Sequence, residues 1–240
     1  MKTARLKKKP VSQEAWVKAY EDIKHRILSM EIKPGGIVSE NKLSKQLGIS
    51  RTPIREALKK LELDGLVVSS NRRKRVFILT IHEIEEIFDL KIAIEGSIAR
   101  LAVERGDKKD LDTLREIVQK MNCFADIIPD DTSEVHEWID EWLALDRRFH
   151  NLLFKMANNR RAEQIIKNLN YQWHRLRVGI LAMEGRIQKS VKEHTDIAQA
   201  ILNGDASEAE TLMKDHLTNL KKMIITLMSA FHFPINSGPS

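Results

Sequence analysis

Residues 38–67 read VSENKLSKQLGISRTPIREALKKLELDGLV, and the spacing inside this stretch decides how the first third of the chain folds. Two short helices joined by a tight turn are expected. Ser39 is a good N-cap, Leu43 and Leu47 lie four apart on one face, and Gly48 stands where the first helix must stop. Ser50 or Thr52 can cap the second helix, and Pro53 falls in its first turn, where a missing N–H costs nothing. Ile54, Ala57, Leu58 and Leu61 make its buried stripe. On the other face Arg51, Arg55 and Lys59 recur every four residues, with Thr52 beside them at the helix start. An amphipathic hairpin ordinarily carries a solvated charged face, so spacing alone leaves two readings: plain exposure to water, or presentation to a DNA major groove.

Charge along the chain bears on that choice. Residues 1–80 hold 19 Lys/Arg against 8 Asp/Glu, whereas residues 81–240 hold 21 against 26. A cationic first third on an acidic remainder points to one domain that binds a polyanion and a second that does something else. At 240 residues, 42% apolar and 31% charged, the chain is long enough for both. The single cysteine, Cys123, excludes an intrachain disulfide framework and is expected to be a buried or half-buried apolar residue. No apolar run reaches membrane-spanning length and the N-terminus lacks a hydrophobic signal core, so a cytoplasmic protein is expected.

Outward from the central stretch, residues 1–13 read as a flexible basic arm and residues 14–30 as a helix with Trp16, Ala19, Tyr20, Ile23 and Ile27 inward and His25 in solvent. Lys33-Pro34-Gly35-Gly36 breaks it. Past the second helix, Leu66–Val68 and Val76–Leu79 are β-prone runs around a cationic tip, Ser69 to Arg75, which reads as a hairpin wing. Arg72 and Arg73 are its candidate phosphate or minor-groove contacts, and Asn71 is the residue for any positive φ there.

The run Leu47-Gly48-Ile49-Ser50-Arg51-Thr52-Pro53-Ile54-Arg55-Glu56-Ala57-Leu58, then Leu61 and Asp64-Gly65-Leu66-Val67, closely resembles the winged helix-turn-helix signature of GntR-family bacterial transcription regulators. The resemblance implies that Arg51, Thr52 and Arg55 touch operator bases and phosphates, with Lys42, Ser44 and Lys59 as backbone contacts. Family members usually carry glycine at the wing tip; none stands here. The expected DNA-binding domain spans 14–79.

From Thr80 onward the pattern is helical throughout. Turn signals divide it into six helices at about 81–105, 108–127, 133–157, 161–183, 186–203 and 206–230, an all-α bundle over 80–231 large enough to enclose a cavity, with a frayed tail at 232–240. In the third of these helices Asp146 and His150 fall inside the apolar arc. His194 and His216 are central on the apolar faces of the fifth and sixth helices, while His174 points outward and His136 lies at an edge. A lone histidine on an apolar face is ordinarily a hydrogen-bonded core residue. Three of them with an aspartate four residues from one need partners to be buried, and a divalent metal such as Zn, Ni, Mn or Fe supplies one.

Asp146-x-x-x-His150, Glu193-His194, Ala200-Ile201, Gly204-Asp205 and His216-Leu217 resemble the FCD ligand-binding domain of the FadR branch of the same family; six helices are closest to its VanR-like subgroup. The resemblance implies a metal held by Asp146, His150, His194 and His216, with open positions for water or a small carboxylate effector. Lys91 stands where the domain commonly has arginine, ahead of the glutamate matched by Glu95; both are candidate effector-pocket residues, as is Arg177, for which a surface salt bridge is the alternative fate. The combined expectation is a homodimeric regulator, in the commoner family behaviour a repressor, reading an inverted repeat of double-stranded DNA. In it, the metal-anchored acid biases the placement of the DNA-reading domains. The rivals are a sensor of the metal itself and a metal-dependent hydrolase.

Overall fold

The computed structural model describes residues 11–70, 73–125, 135–181 and 185–235; the side chains of 11–13, 70, 135–136 and 174–181 lie outside that description. Two units divide at Leu79/Thr80. The first contains α1 (Val11–Leu28), α2 (Glu40–Leu47), α3 (Arg51–Leu63), β1 (Val67–Ser70) and β2 (Arg73–Val76). Ser39 caps α2 by accepting the Lys42 N–H, and Gly48 ends it at φ 64°, the left-handed conformation that favours glycine. Ser50 is the N-cap residue of α3 but makes no side-chain cap bond. Ile54, Ala57, Leu58 and Leu61 of α3 are fully buried with Ala19, Ile23 and Ile27 of α1. At the end of α3 the buried carboxylate of Asp64 accepts the Tyr20 hydroxyl proton at 2.6 Å and the Lys60 ammonium at 2.7 Å, which ties α1 to α3 without leaving a bare charge inside.

Three expectations need correction here. The second wing strand is Arg73–Val76, not Val76–Leu79: Val67 pairs with Val76 and Ser70 with Arg73, so the cationic run is itself the strand. It also bonds residues 35–38, where Val38 N–H donates to the Lys74 carbonyl and Gly35 N–H to that of Val76. The apolar run lost because backbone pairing to that segment sets the register. Second, α1 spans Val11–Leu28 rather than 14–30, so residues 11–13 of the expected arm are helical; residues 1–10 lie outside the described residues. Third, the tail is not frayed as far as Ile235, as described below. Asn71 and Arg72 lie outside the described residues.

The second unit is all helical among the described residues: α4 (Ile81–Arg105), α5 (Lys108–Ala125), α6 (Val135–Ala157), α7 (Arg160–Leu181), α8 (Arg186–Leu202) and α9 (Ala206–Ala230). Boundaries differ from the expected ones by at most two residues. Thr80 and Glu83 form a capping box at the start of α4. The N–H groups of Ile81 and His82 donate to the carbonyls of Pro234 and Ile235, so the segment after α9 satisfies first-turn donors of α4. Helix α4 packs along α9 with Gly96 at the crossing, where a Cβ would stand 2.8 Å from Cγ and Cε of Lys214. The core gathers Phe88, Met121, Trp142, Phe149 and Trp173. Cys123 is exposed, contrary to expectation, because Met121 and Phe124 take the buried positions of that turn of α5. No helix among the described residues is long and apolar enough to cross a membrane.

Candidate functional site

In the first unit α3 presents Arg51, Thr52, Arg55 and Lys59 to solvent. Arg55 is held: its Nε and Nη2 donate to the two oxygens of Glu40 at 3.0 Å each, and Arg51 Nη2 stands 3.9 Å from the same carboxylate. Glu40 is thereby held below the usual carboxylate range, first by the Arg55 hydrogen bonds. An anion that takes the Nε–Nη2 edge of this fork displaces Glu40. Lys59 pairs with Glu56 at 3.0 Å. Ser44 spends its hydroxyl on the Ile49 carbonyl at 2.7 Å and so closes the turn between the helices, while Lys42 and Arg73 are exposed.

In the second unit the helical periods of α6, α8 and α9 bring His150, His194 and His216 together, with one potential ligand atom of each within 4.8 Å of the others. His194 is fully buried; His216 and Asp146 are nearly so. Each Nδ1 is committed to an oxygen: His194 to the Ser190 carbonyl at 2.7 Å, His216 to Glu193 Oε2 at 2.8 Å, His150 to Glu95 Oε2 at 3.0 Å. Carbonyls and carboxylates only accept, so each Nδ1 carries a proton, and in the neutral ring each Nε2 keeps its lone pair. Yet His194 Nε2 and His150 Nε2 stand 3.3 Å apart, and Asp146 Oδ1 lies 3.4 Å from His194 Nε2 and 4.0 Å from His150 Nε2.

Lone pairs facing one another beside a carboxylate repel unless a proton or a metal cation lies among them. Nitrogen ligands about 2.0–2.1 Å from a tetrahedral zinc ion are about 3.3 Å apart, so the imidazole pair fits a metal. Burial pushes the His216 imidazole down to about 4 against the pull of Glu193, and its two neighbouring imidazoles push the same way. A neutral imidazole is the form that ligates. Burial works against ionisation of Glu193 too, but the His216 hydrogen bond and the Arg186 charge hold it below its ordinary value.

Lys91 and Glu95 form a buried pair, Nζ to Oε1 2.5 Å, and Lys91 also donates to Asn170 at 2.8 Å. Burial alone would raise the Glu95 carboxyl; the Lys91 ammonium and the His150 hydrogen bond override it and hold the group far below the usual range. These two residues therefore stand behind His150. Asn170, Ser190 and Arg186 escaped the sequence reading, and Glu193 entered it only within a motif, without a role of its own. Glu193 had a signal in its place beside His194, and Arg186 another in being a cation at a helix start, where the helix dipole disfavours it. The side chains of Arg177, His136 and His174 lie outside the described residues.

Residues 17–78 match the model of "Bacterial regulatory proteins, gntR family" and residues 86–219 that of the FCD domain. An uncharacterized HTH-type transcriptional regulator of Bacillus subtilis, YdhC, is 25% identical over 85% of this chain and 88% of its own. The HTH-type transcriptional repressor RspR of Escherichia coli is 24% identical over 90% and 89%. Among solved structures, E. coli McbR/YncC shares the fold at a TM-score of 0.66 with 19% identity, over 89% of this chain and 98% of that one. These similar proteins are transcription regulators rather than enzymes. With its N-terminal third in the one model and its helical remainder in the other, the chain belongs to the gntR family of bacterial regulatory proteins, in the FadR-type branch that carries an FCD domain, and is a DNA-binding transcription regulator.

Proposed function

We propose that this regulator is a repressor whose hold on its operator is controlled by a small carboxylate at a divalent metal on His150, His194 and His216, with Asp146 completing the set. The observation that carries the reading is the convergence of three imidazoles whose Nδ1 protons are all spent on oxygen acceptors. Bound there, zinc, nickel or manganese supplies positive charge to the lone pairs and open positions to an effector oxygen. The rest falls to the chain. Glu95, Glu193 and the Ser190 carbonyl fix the imidazole tautomers, and Lys91 balances the charge of Glu95. The name of RspR supports repression. The six helices α4–α9 favour the VanR-like subgroup.

In the first unit Arg51, Thr52, Arg55, Lys59 and Lys42 of α2–α3 and Arg72 and Arg73 of the wing engage double-stranded DNA, while Ser44 holds the turn that presents them. A homodimer places two such units on an inverted repeat. Effector and operator affinities are then linked by one coupling free energy, of about 1–3 kcal/mol in typical systems. The test is a competitive zinc titration of chelator-stripped protein, followed by operator binding with and without a panel of carboxylic acids. Stoichiometric zinc, lost in His194→Ala, and an acid that weakens operator binding only in the metal-loaded protein are expected. Operator binding that answers zinc alone favours the metal-sensor reading, and failure to take up zinc refutes both.

A further inference from the structure

We propose that Arg186 is the second anion-binding point of the effector site, so that the ligand is a small di-acid with one carboxylate at the imidazole cluster and another on this guanidinium. The proposal deepens the metal-anchored reading and rests on it. Arg186 sits in the first turn of α8, with a side chain only 3% exposed. Its Nε and Nη1 have no acceptor. The near carboxylate oxygen, Glu193 Oε2, is 3.5 Å from Nη1 and is already engaged by His216 Nδ1 at 2.8 Å. A guanidinium in this position is partly balanced in charge but unsatisfied in hydrogen bonds, which a folded chain tolerates where something else completes them.

The chemistry of the missing partner follows from the whole set of orphans. Among the described residues, the buried side-chain N and O atoms without a partner are Trp138 Nε1, Trp142 Nε1 and the two Arg186 nitrogens. All are donors. A set containing donors alone asks for an acceptor-rich guest, and a guanidinium fork matches a carboxylate in two parallel hydrogen bonds. Two of the orphan-bearing residues connect to the cluster: Trp142 packs edge-on to His194 with ring centroids 5.8 Å apart, and Arg186 reaches His216 through Glu193. Arg186, Ser190 and His194 follow at four-residue steps on α8, as Trp138, Trp142, Asp146 and His150 do on α6, so on each helix the orphan donors precede the cluster residues along one ridge. Two acidic groups are needed rather than one. Arg186 stands on the Glu193 side of His216, where Nδ1 is spent, whereas a group at the cluster faces the Nε2 lone pairs.

The test measures binding by calorimetry to the zinc-loaded full chain. The probes are malonate, succinate, glutarate and adipate, each against the monocarboxylate of equal carbon number. At least one di-acid is expected to bind ten times tighter than its matched mono-acid. Arg186→Met and Arg186→Gln should erase that advantage, keep mono-acid binding and keep zinc affinity within about threefold. Because removing the guanidinium relieves two unsatisfied buried donors while giving up one long contact with Glu193, the melting temperature of stripped Arg186→Met should stay within about 2 °C of the wild type. Three results overturn the proposal: no di-acid advantage in the wild type, an advantage that survives both substitutions, or a melting temperature several degrees lower in both variants. Failure of the underlying metal reading looks different, since zinc itself is then not taken up while any Arg186-dependent di-acid preference persists in stripped protein.

Discussion

Glu95→Gln separates the two tasks assigned to that side chain. It keeps the shape and lets an amide oxygen still accept the His150 Nδ1 proton, but removes the negative charge 2.5 Å from Lys91. With side chains only 4% and 3% exposed, the pair is buried, so deleting one charge strands the other with Asn170 and the faces of Phe88 and Trp173 as partners. Breaking such a pair costs about 3–5 kcal/mol. If the cluster holds zinc as proposed, the weaker grip on His150 should lower zinc affinity separately, by about 10–100-fold. Adding Lys91→Met should recover most of the stability, because two neutral side chains then fill the space, and none of the zinc affinity. Urea unfolding of stripped protein followed by fluorescence of Trp138, Trp142 and Trp173, with competitive zinc titration, reads the two effects apart. A loss under about 0.5 kcal/mol for Glu95→Gln, or zinc affinity unchanged in both variants, would falsify the reasoning.

On an operator recovered by selection from random DNA, Arg55→Ala should lose about 1–3 kcal/mol of specific affinity if its fork reads guanine. Glu40→Gln should instead raise non-specific affinity, since the carboxylate competing with DNA for Arg55 is gone; fluorescence anisotropy at fixed salt measures both, and an unchanged Arg55→Ala removes that residue from the reading face. In stripped protein the native His216 imidazole has its pKa at about 4, while the unfolded chain takes up that proton near 6.5. The contribution of this group is therefore intact above pH 6.5 and falls by about 1.4 kcal/mol per unit down to pH 4, a slope that His216→Gln should flatten in unfolding curves. Gly96→Ala gains about 1 kcal/mol of helix propensity but sets a methyl against Lys214, costing about 1–3 kcal/mol. A melting temperature a few degrees lower is expected, and a rise would show that α9 yields freely.

How much of this was legible depended on whether a feature is periodic. The helices of both units announced themselves through apolar spacing and turn residues, and the inward faces of His194 and His216 followed from projection at 100° per residue. The wing did not: its strand is the basic run 73–76, and what fixes it is hydrogen bonding to residues 35–38, which no local pattern encodes. Cys123 was misplaced because burial within α5 turns on which neighbours claim the inner positions. Likewise the support behind the imidazoles is carried by contacts between residues 55 positions apart in one case, Glu95 and His150, and 23 in another, Glu193 and His216. Sequence proximity marks such partners only when, as with Glu193, one happens to sit beside a histidine of the cluster.

The bonds from Ile81 and His82 to Pro234 and Ile235 close the helical unit into a ring, its two ends sharing one seam. Residues 234–235 thus lie against the first turn of α4. A truncation that removes Pro234 and Ile235 is consequently a perturbation of the start of α4 rather than a neutral trim.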